Sequence, residues 1–315
     1  QHPAPYQPFV VEIGNEQELG YALIRQISDG AEAMRVRASV VGLDVNKLRF
    51  AIGHNLDMAV INTPVCDAMV NATKFLGDTV MWDIHTDADT PEQEDHWDAT
   101  LQMAVRMLDR LGSEMRLAVF EENAFRHDIL RGLNRARYAN TYARLTDRFV
   151  IGTAANGLQV LGFNDNGWDQ GAIFMAPDRV WLSPFGFVDY LVSRASEPIV
   201  LGTELALGGE SVRLDVFASC SEPLDTIAMR VVNFDAKQST ELDVLLPPAV
   251  MCEQALVTVL QANASVVNPP SDIDRVAPHK AVVQHFHRWA FPPLSLTTVR
   301  WTGCKVASLR GTLFA

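Results

Sequence analysis

The sequence predicts an α/β part followed by an all-β part, and three observations carry that expectation. Over roughly the first 190 of its 315 residues, short apolar runs alternate with stretches of helical period. Beyond that point the helical period vanishes, and strand-like runs follow one another, separated by turn residues. Polar side chains stand at the far end of each early apolar run, as in a parallel sheet whose loops carry chemistry.

The first run, "VVEIGNEQ", sets β-branched Val10, Val11 and Ile13 before Gly14, Asn15 and Glu16. An Ala- and Arg-rich helical stretch stops at Gly42, and "LRFAIG" (48–53) reads as the second strand, ending at His54 and Asn55. A helix follows with Thr63 as cap, Pro64 in its first turn and Gly77 as its stop. Val65, Met69, Ala72 and Leu76 share one face. "TVMWDIH" is the third strand and ends at His85. The next helix opens at Pro91 and carries Trp97, Leu101, Ala104, Leu108 and Leu111 in one stripe before Gly112. "MRLAVFEEN" supplies the fourth strand, ending in Glu121, Glu122 and Asn123. A helix over about 128–145 comes next, its arginines forming a solvated face, and "FVIGTAANGLQVLG" reads as a fifth strand. Strands alternating with such helices form a parallel sheet with right-handed crossovers.

Five such units are the last five strands of a (β/α)8 TIM barrel, whose other three would come from upstream. On that reading the chain is a fragment, and any secretion signal precedes it. From "SVRLDVFAS" to "PLSLTTVRW" the runs fit an antiparallel β-sandwich. The expected domains are 1–188, the barrel part, and 189–315, the sandwich.

Composition removes several function classes. With 26 basic against 38 acidic residues the net charge is −12, and no basic run stands out, which argues against nucleic acid or an anionic membrane as partner. No apolar stretch approaches the roughly 20 residues of a membrane-spanning helix. The four cysteines, Cys66, Cys220, Cys252 and Cys304, show no C-x-x-C spacing, which speaks against zinc. A homo-oligomer is compatible with this profile.

In a closed parallel barrel the strand ends converge on one rim, so Glu16 and Glu122 can face one pocket, and in regular strand geometry only one of the neighbours Glu121 and Glu122 can do so. Two carboxylates on separate rim loops are what glycoside hydrolysis requires: one protonates the departing oxygen, the other attacks the anomeric carbon. Structural alternatives stand beside each residue. Glu16 can cap the following helix, Glu122 can pair with Arg126 or Arg131, and His54 and His85 can be hydrogen-bonded spacers. Asn156 can hold its own loop rather than a sugar. Trp168 can stack on a sugar face or pack under its loop, where Asn166-Gly167 is a turn signal.

The ordered set "EIGNE", "VFEENAFRHDILRGLNRARYAN" and "AANGLQVLGFNDNGWDQG", closing with "FPPLSLTTVRW", resembles the α-L-arabinofuranosidases of glycoside hydrolase family 51 over nearly the whole chain. The resemblance implies release of terminal α-L-arabinofuranosyl groups from arabinan, arabinoxylan or arabino-oligosaccharides by a retaining double displacement that needs no cofactor or metal. Glu16 matches the acid/base, Asn15 the neighbour that bonds the sugar hydroxyl, Glu122 the nucleophile and Gln159 a sugar-binding glutamine. His85 falls where the family has a histidine, although "DIHTDAD" lacks the tyrosine often found nearby. Another retaining glycosidase of the same clan, an endoglucanase or xylosidase, is the nearest enzymatic alternative. A catalytically silent carbohydrate-binding fragment is the other.

Overall fold

The computed structural model describes residues 10–54, 59–87, 89–163, 168–206 and 213–306. The chain divides into two compact units that interleave along the sequence. The first comprises Gln1–Asp87, Asp95–Asn123 and Leu145–Ala155; the second comprises Ala88–Glu94, Ala124–Arg144 and Asn156–Ala315. A single cut between 188 and 189 describes chain order, whereas compactness places the helix after Asn123 and everything beyond Ala155 with the β-rich unit.

The elements of the α/β stretch, in chain order, are β1 (Val10–Gln17), α1 (Tyr21–Val40), β2 (Arg49–His54), α2 (Pro64–Thr73), β3 (Val80–Asp87), α3 (Pro91–Arg110), β4 (Arg116–Asn123), α4 (Ile129–Arg144) and β5 (Phe149–Ala154). The five strands form one parallel sheet in the order β1-β2-β3-β4-β5. Strand alternation sorts their side chains. One face carries Phe50, Ile52, Trp82, Ile84 and Leu117, all fully buried, each worth about 1.5–3 kcal/mol for a side chain of this kind. The other carries Glu12, Ala51, Met81, Asp83, His85 and Ala118, so small and ionisable groups share it.

Helix signals place the elements well and their stripes less well. Thr63 caps α2 by accepting from the Cys66 N–H, and Pro64 occupies the first turn. The helix ends at Thr73 rather than Gly77, because a 3-10 segment over Lys74–Thr79 bends at Gly77, whose φ is +58°. The buried stripe is therefore Cys66, Met69, Val70 and Thr73. In α3 the expected Leu101, Ala104 and Leu108 are buried.

The second unit continues with β6 (Leu158–Val160), β7 (Ile173–Ala176), β8 (Arg179–Leu182), α5 (Pro184–Arg194), β9 (Ile199–Leu201), β10 (Leu214–Cys220), β11 (Thr226–Asn233), β12 (Thr240–Asp243), β13 (Val250–Met251), β14 (Gln254–Gln261), β15 (His279–Val283), β16 (Arg288–Phe291), β17 (Ser295–Thr302) and β18 (Lys305–Val306). Six strands build an antiparallel sheet ordered β15-β14-β17-β11-β10-β9. One face of it packs on α4 and α5 through Val232, Leu260 and Leu296 against Ile129, Leu133, Val188 and Leu191. The opposite face gathers Met229, Val231, Val257, Val299 and Trp301 with Phe286 and Phe291. Cys252 and Cys304, at adjoining ends of β14 and β17, form a disulfide, while Cys66 and Cys220 are free and buried.

Three expectations change here. The fifth predicted strand breaks after Ala154: Asn156 is left-handed (φ +54°), and Leu158–Val160 joins β7 and β8 in a separate sheet. The α4 arginines are not a solvated face. Arg131 is fully buried with its guanidinium over the Phe185 ring at 4.5 Å, and Arg135 pairs with Asp189 at 2.8 Å, because α4 is covered by α5 and the sheet. Helix α5 adds to the expected elements; Ser183 accepting from the Gly186 N–H and Pro184 in the first turn are ordinary start signals.

Candidate active site

The tip of β1 is held out of regular strand geometry. Ile13 opposes Ile52 while Gln17 opposes His54, so β1 inserts extra residues around Gly14, Asn15 and Glu16. Gly14 has φ +87°, and a Cβ at Gly53 would lie 2.2 Å from the Gly14 carbonyl oxygen, so both positions require glycine for a close approach. Glu16 itself sits at φ +50°, a backbone state that non-glycine residues seldom adopt and that clusters at functional sites. Asn15 is exposed and the Glu16 side chain is half exposed.

A second irregularity sits across the sheet. Asp83 opposes Ala118, but His85 opposes Glu121, so β4 carries one residue more than β3 between these pairs. The Phe120 N–H at this bulge donates to the buried Asp83 carboxylate at 2.7 Å. The extra residue turns Glu121 to the side of His85.

Between the two irregular tips lies a cluster of ionisable side chains. His85 Nδ1 is 2.8 Å from Glu16 Oε1 and 3.5 Å from Glu121 Oε2, and its Nε2 is 3.2 Å from Asp83 Oδ2. Burial pushes the imidazole pKa down. The hydrogen bonds to Asp83 and Glu16, with the charges of Asp83 and Glu121, outweigh it and lift the pKa to about 9. His85 is therefore an imidazolium at neutral pH, donating from both ring nitrogens. Burial, and after it the charge of Asp83 and a hydrogen bond with it, pushes the Glu12 carboxyl above its ordinary value. Ligand atoms of Glu16, His85 and Glu121 lie within 4.8 Å of one another, as do those of Glu12, Asp83 and His85. Either set has the residue types of a metal site; with His85 protonated, its ring nitrogens instead donate to the surrounding carboxylates. The arrangement works as a hydrogen-bond network that fixes Glu16 opposite Glu121.

Glu122 occupies a different place. It opposes Thr86 on β3 and Ala154 on β5, and its side chain is fully buried; its carbonyl oxygen accepts from the Ala155 N–H at 3.1 Å. The Asn123 amide donates to Glu121 Oε1 at 2.8 Å. The side chain of His54, and Asn55 altogether, lie outside the described residues, as does the Asn166-Gly167 turn.

The remaining candidates belong to the second unit and bond mainly to their own loop. The Asn156 amide donates to the Trp168 carbonyl at 3.1 Å. Gln159 donates to Asp169 at 2.9 Å and accepts from the Gly171 N–H at 2.8 Å. The Trp168 indole stacks on Phe125, centroids 4.3 Å apart. Gln159 also lines a cleft of about 250 Å3 with His127, Phe174 and Trp181.

Sequence reasoning singled out Glu16 and His85 and left Glu12 and Asp83 aside. The signal for both was present: Glu12 is an acidic residue inside an apolar strand, and Asp83 is two positions before His85, hence on its face.

No protein-family model and no curated protein matches the sequence. Solved structures match in fold. The glycoside hydrolase family 51 α-L-arabinofuranosidase of Thermotoga petrophila RKU-1 aligns with a TM-score of 0.76 at 15% identity, over 95% of this chain and 67% of that one. The family 51 arabinofuranosidase of Xanthomonas axonopodis pv. citri gives 0.71 at 15% identity, over 96% and 68%. A family 44 xyloglucanase from Paenibacillus polymyxa gives 0.59 at 11% identity, over 93% and 66%. The chain thus shares the fold of the family 51 α-L-arabinofuranosidases and spans about two thirds of the length of these neighbours.

Proposed function

We propose that the chain is part of a retaining glycoside hydrolase that releases terminal α-L-arabinofuranosyl groups from arabinan, arabinoxylan or arabino-oligosaccharides. On this reading the parallel sheet is the last five strands of a (β/α)8 barrel, and the antiparallel unit is its companion β-sandwich. The observation that carries the proposal is the approach of Glu16 and Glu121, whose carboxylate oxygens lie within 4.8 Å. Retaining glycosidases hold their two carboxyl groups about 5–5.5 Å apart, whereas inverting enzymes leave about 6.5–9.5 Å for a water.

In the first step Glu16 donates a proton to the leaving alcohol while the second carboxylate attacks the anomeric carbon, giving a covalent arabinosyl-enzyme. Glu16 then takes a proton from a water whose oxygen attacks the anomeric carbon and displaces the carboxylate, which releases the sugar with its configuration retained. Asn15 stands next to Glu16 for the adjacent sugar hydroxyl, and Asn156, Gln159 and Trp168 are the further sugar-binding candidates. Two carboxylates suffice, so no metal or organic cofactor is invoked. Position supports Glu121 as the nucleophile; the motif match supports Glu122.

Turnover of 4-nitrophenyl α-L-arabinofuranoside separates these assignments. Glu16→Ala should lower turnover by orders of magnitude, least for substrates with good leaving groups. Glu121→Gln should abolish it, with Glu122→Gln retaining it; loss confined to Glu122→Gln transfers the role to Glu122. Retention of activity in Glu16→Ala, or in the double variant of Glu121 and Glu122, overturns the two-carboxylate mechanism.

A second reading follows from the sheet itself, which has five strands where a closed barrel of this type has eight. The chain can be a carbohydrate-binding piece whose catalysis requires strands from elsewhere. Assaying it beside a version extended upstream separates the cases: activity only in the longer version supports this reading, and inactivity of both removes the enzyme.

A further inference from the structure

The second unit holds a cleft of about 380 Å3 between α5 and the helix-facing side of the six-stranded sheet, within the range of roughly 300–1,000 Å3 typical of small-molecule sites. Tyr190, Arg194 and the nearby Ser196 line one side, and Thr258, Thr298 and Lys280 line the other. The strand register explains the second wall. Phe217, Arg230, Thr298, Thr258 and Lys280 are successive partners across β10, β11, β17, β14 and β15, and therefore share one face.

This row runs from a buried cation to an exposed one. Arg230 is 2% exposed, and its guanidinium lies 4.3 Å from the Phe217 ring centroid. Its Nη1 donates to Ser196 Oγ at 3.0 Å, while Nε and Nη2 have no hydrogen-bond partner among the described residues. Burial pushes its pKa down to about 10, so it stays charged at neutral pH. A buried charge with idle donors is costly, and the charge of Asp215 offsets part of that cost. Arg194 and Lys280 have no ion-pair partner among the described residues, whereas Arg300, also on the cleft, is paired with Glu197 at 2.6 Å. On a chain of net charge −12 this is a local concentration of positive charge.

We propose that this cleft binds a carboxylate-bearing sugar. The unpaired cations supply charge-assisted donors for the carboxylate, the hydroxyls of Ser196, Thr258 and Thr298 suit sugar hydroxyls, and the half-exposed Tyr190 offers an aromatic face to the ring. All of these residues lie in the second unit, so the proposal stands apart from the catalytic reading.

Calorimetric titration of the full chain with D-glucuronate, D-glucose and inorganic phosphate tests it. Glucuronate should bind saturably and more weakly as salt is added, with Lys280→Ala and Arg194→Ala each weakening it about tenfold. Both substitutions are at exposed positions and should leave the thermal midpoint unchanged. Glucose should not compete. Absence of saturable glucuronate binding, equal affinity for glucose, or indifference to both substitutions overturns the site, and tighter binding of phosphate than of glucuronate overturns the sugar.

Discussion

His85 is held by carboxylates on both ring nitrogens, so its charge is tied to the folded state. Its folded pKa of about 9 lies above the roughly 6.5 of an unfolded imidazole. The stabilisation is then fully present below about pH 6.5 and is lost as pH rises through 9. Thermal midpoints measured from pH 6 to pH 10 should fall more steeply for the native chain than for His85→Gln; parallel curves would remove the imidazolium from the cluster. Glu16 and His85 stood out in the sequence because a polar residue at the end of an apolar run is easy to see. Choosing between Glu121 and Glu122 was not open to the same reasoning, since adjacent strand residues point to opposite sides and the bulge in β4 shifts which one shares the face of His85.

Among the elements, β1 and β2 meet where only a hydrogen can fit. Gly53→Ala would press a methyl group against the Gly14 carbonyl, and we expect a loss of about 1–3 kcal/mol by urea denaturation; an unchanged midpoint would show that the strands can part without cost. In the second unit the Cys252–Cys304 bridge spans a sequence separation of 52 residues. Reduction should lower stability by about 2–4 kcal/mol, read as the shift in urea midpoint with and without reductant. Strand and helix periods revealed most of these elements. They did not reveal the pairing of two cysteines far apart in sequence, or that the arginine-bearing side of α4 would be covered by α5.

Across the molecule, protection should follow position in the sheets. In the five-stranded sheet β3 is central while, among the described residues, β1 and β5 have a strand on one side only, so hydrogen exchange should be slowest in β3 and fastest in β1 and β5. In the six-stranded sheet β14, β17, β11 and β10 should outlast β15 and β9. Uniform exchange across either sheet would contradict this layout. Among the described residues no helix is long and apolar enough to cross a membrane.

Because hydrophobic period and cap chemistry are local properties of the chain, the sequence alone determined most of the elements, their order and the change from α/β to β texture, though not α5 or the break after Ala154. It also determined which polar residues lie near the ends of β1 to β4, but not of β5, which stops at Ala154 before Asn156 and Gln159. Tertiary structure decided which of those residues meet. Two bulges set the facing of Glu16 and Glu121, an imidazolium joins them, and cross-strand register lines up Arg230 with Lys280. Each depends on how one strand is offset against the next, a relation that no single stretch of sequence contains.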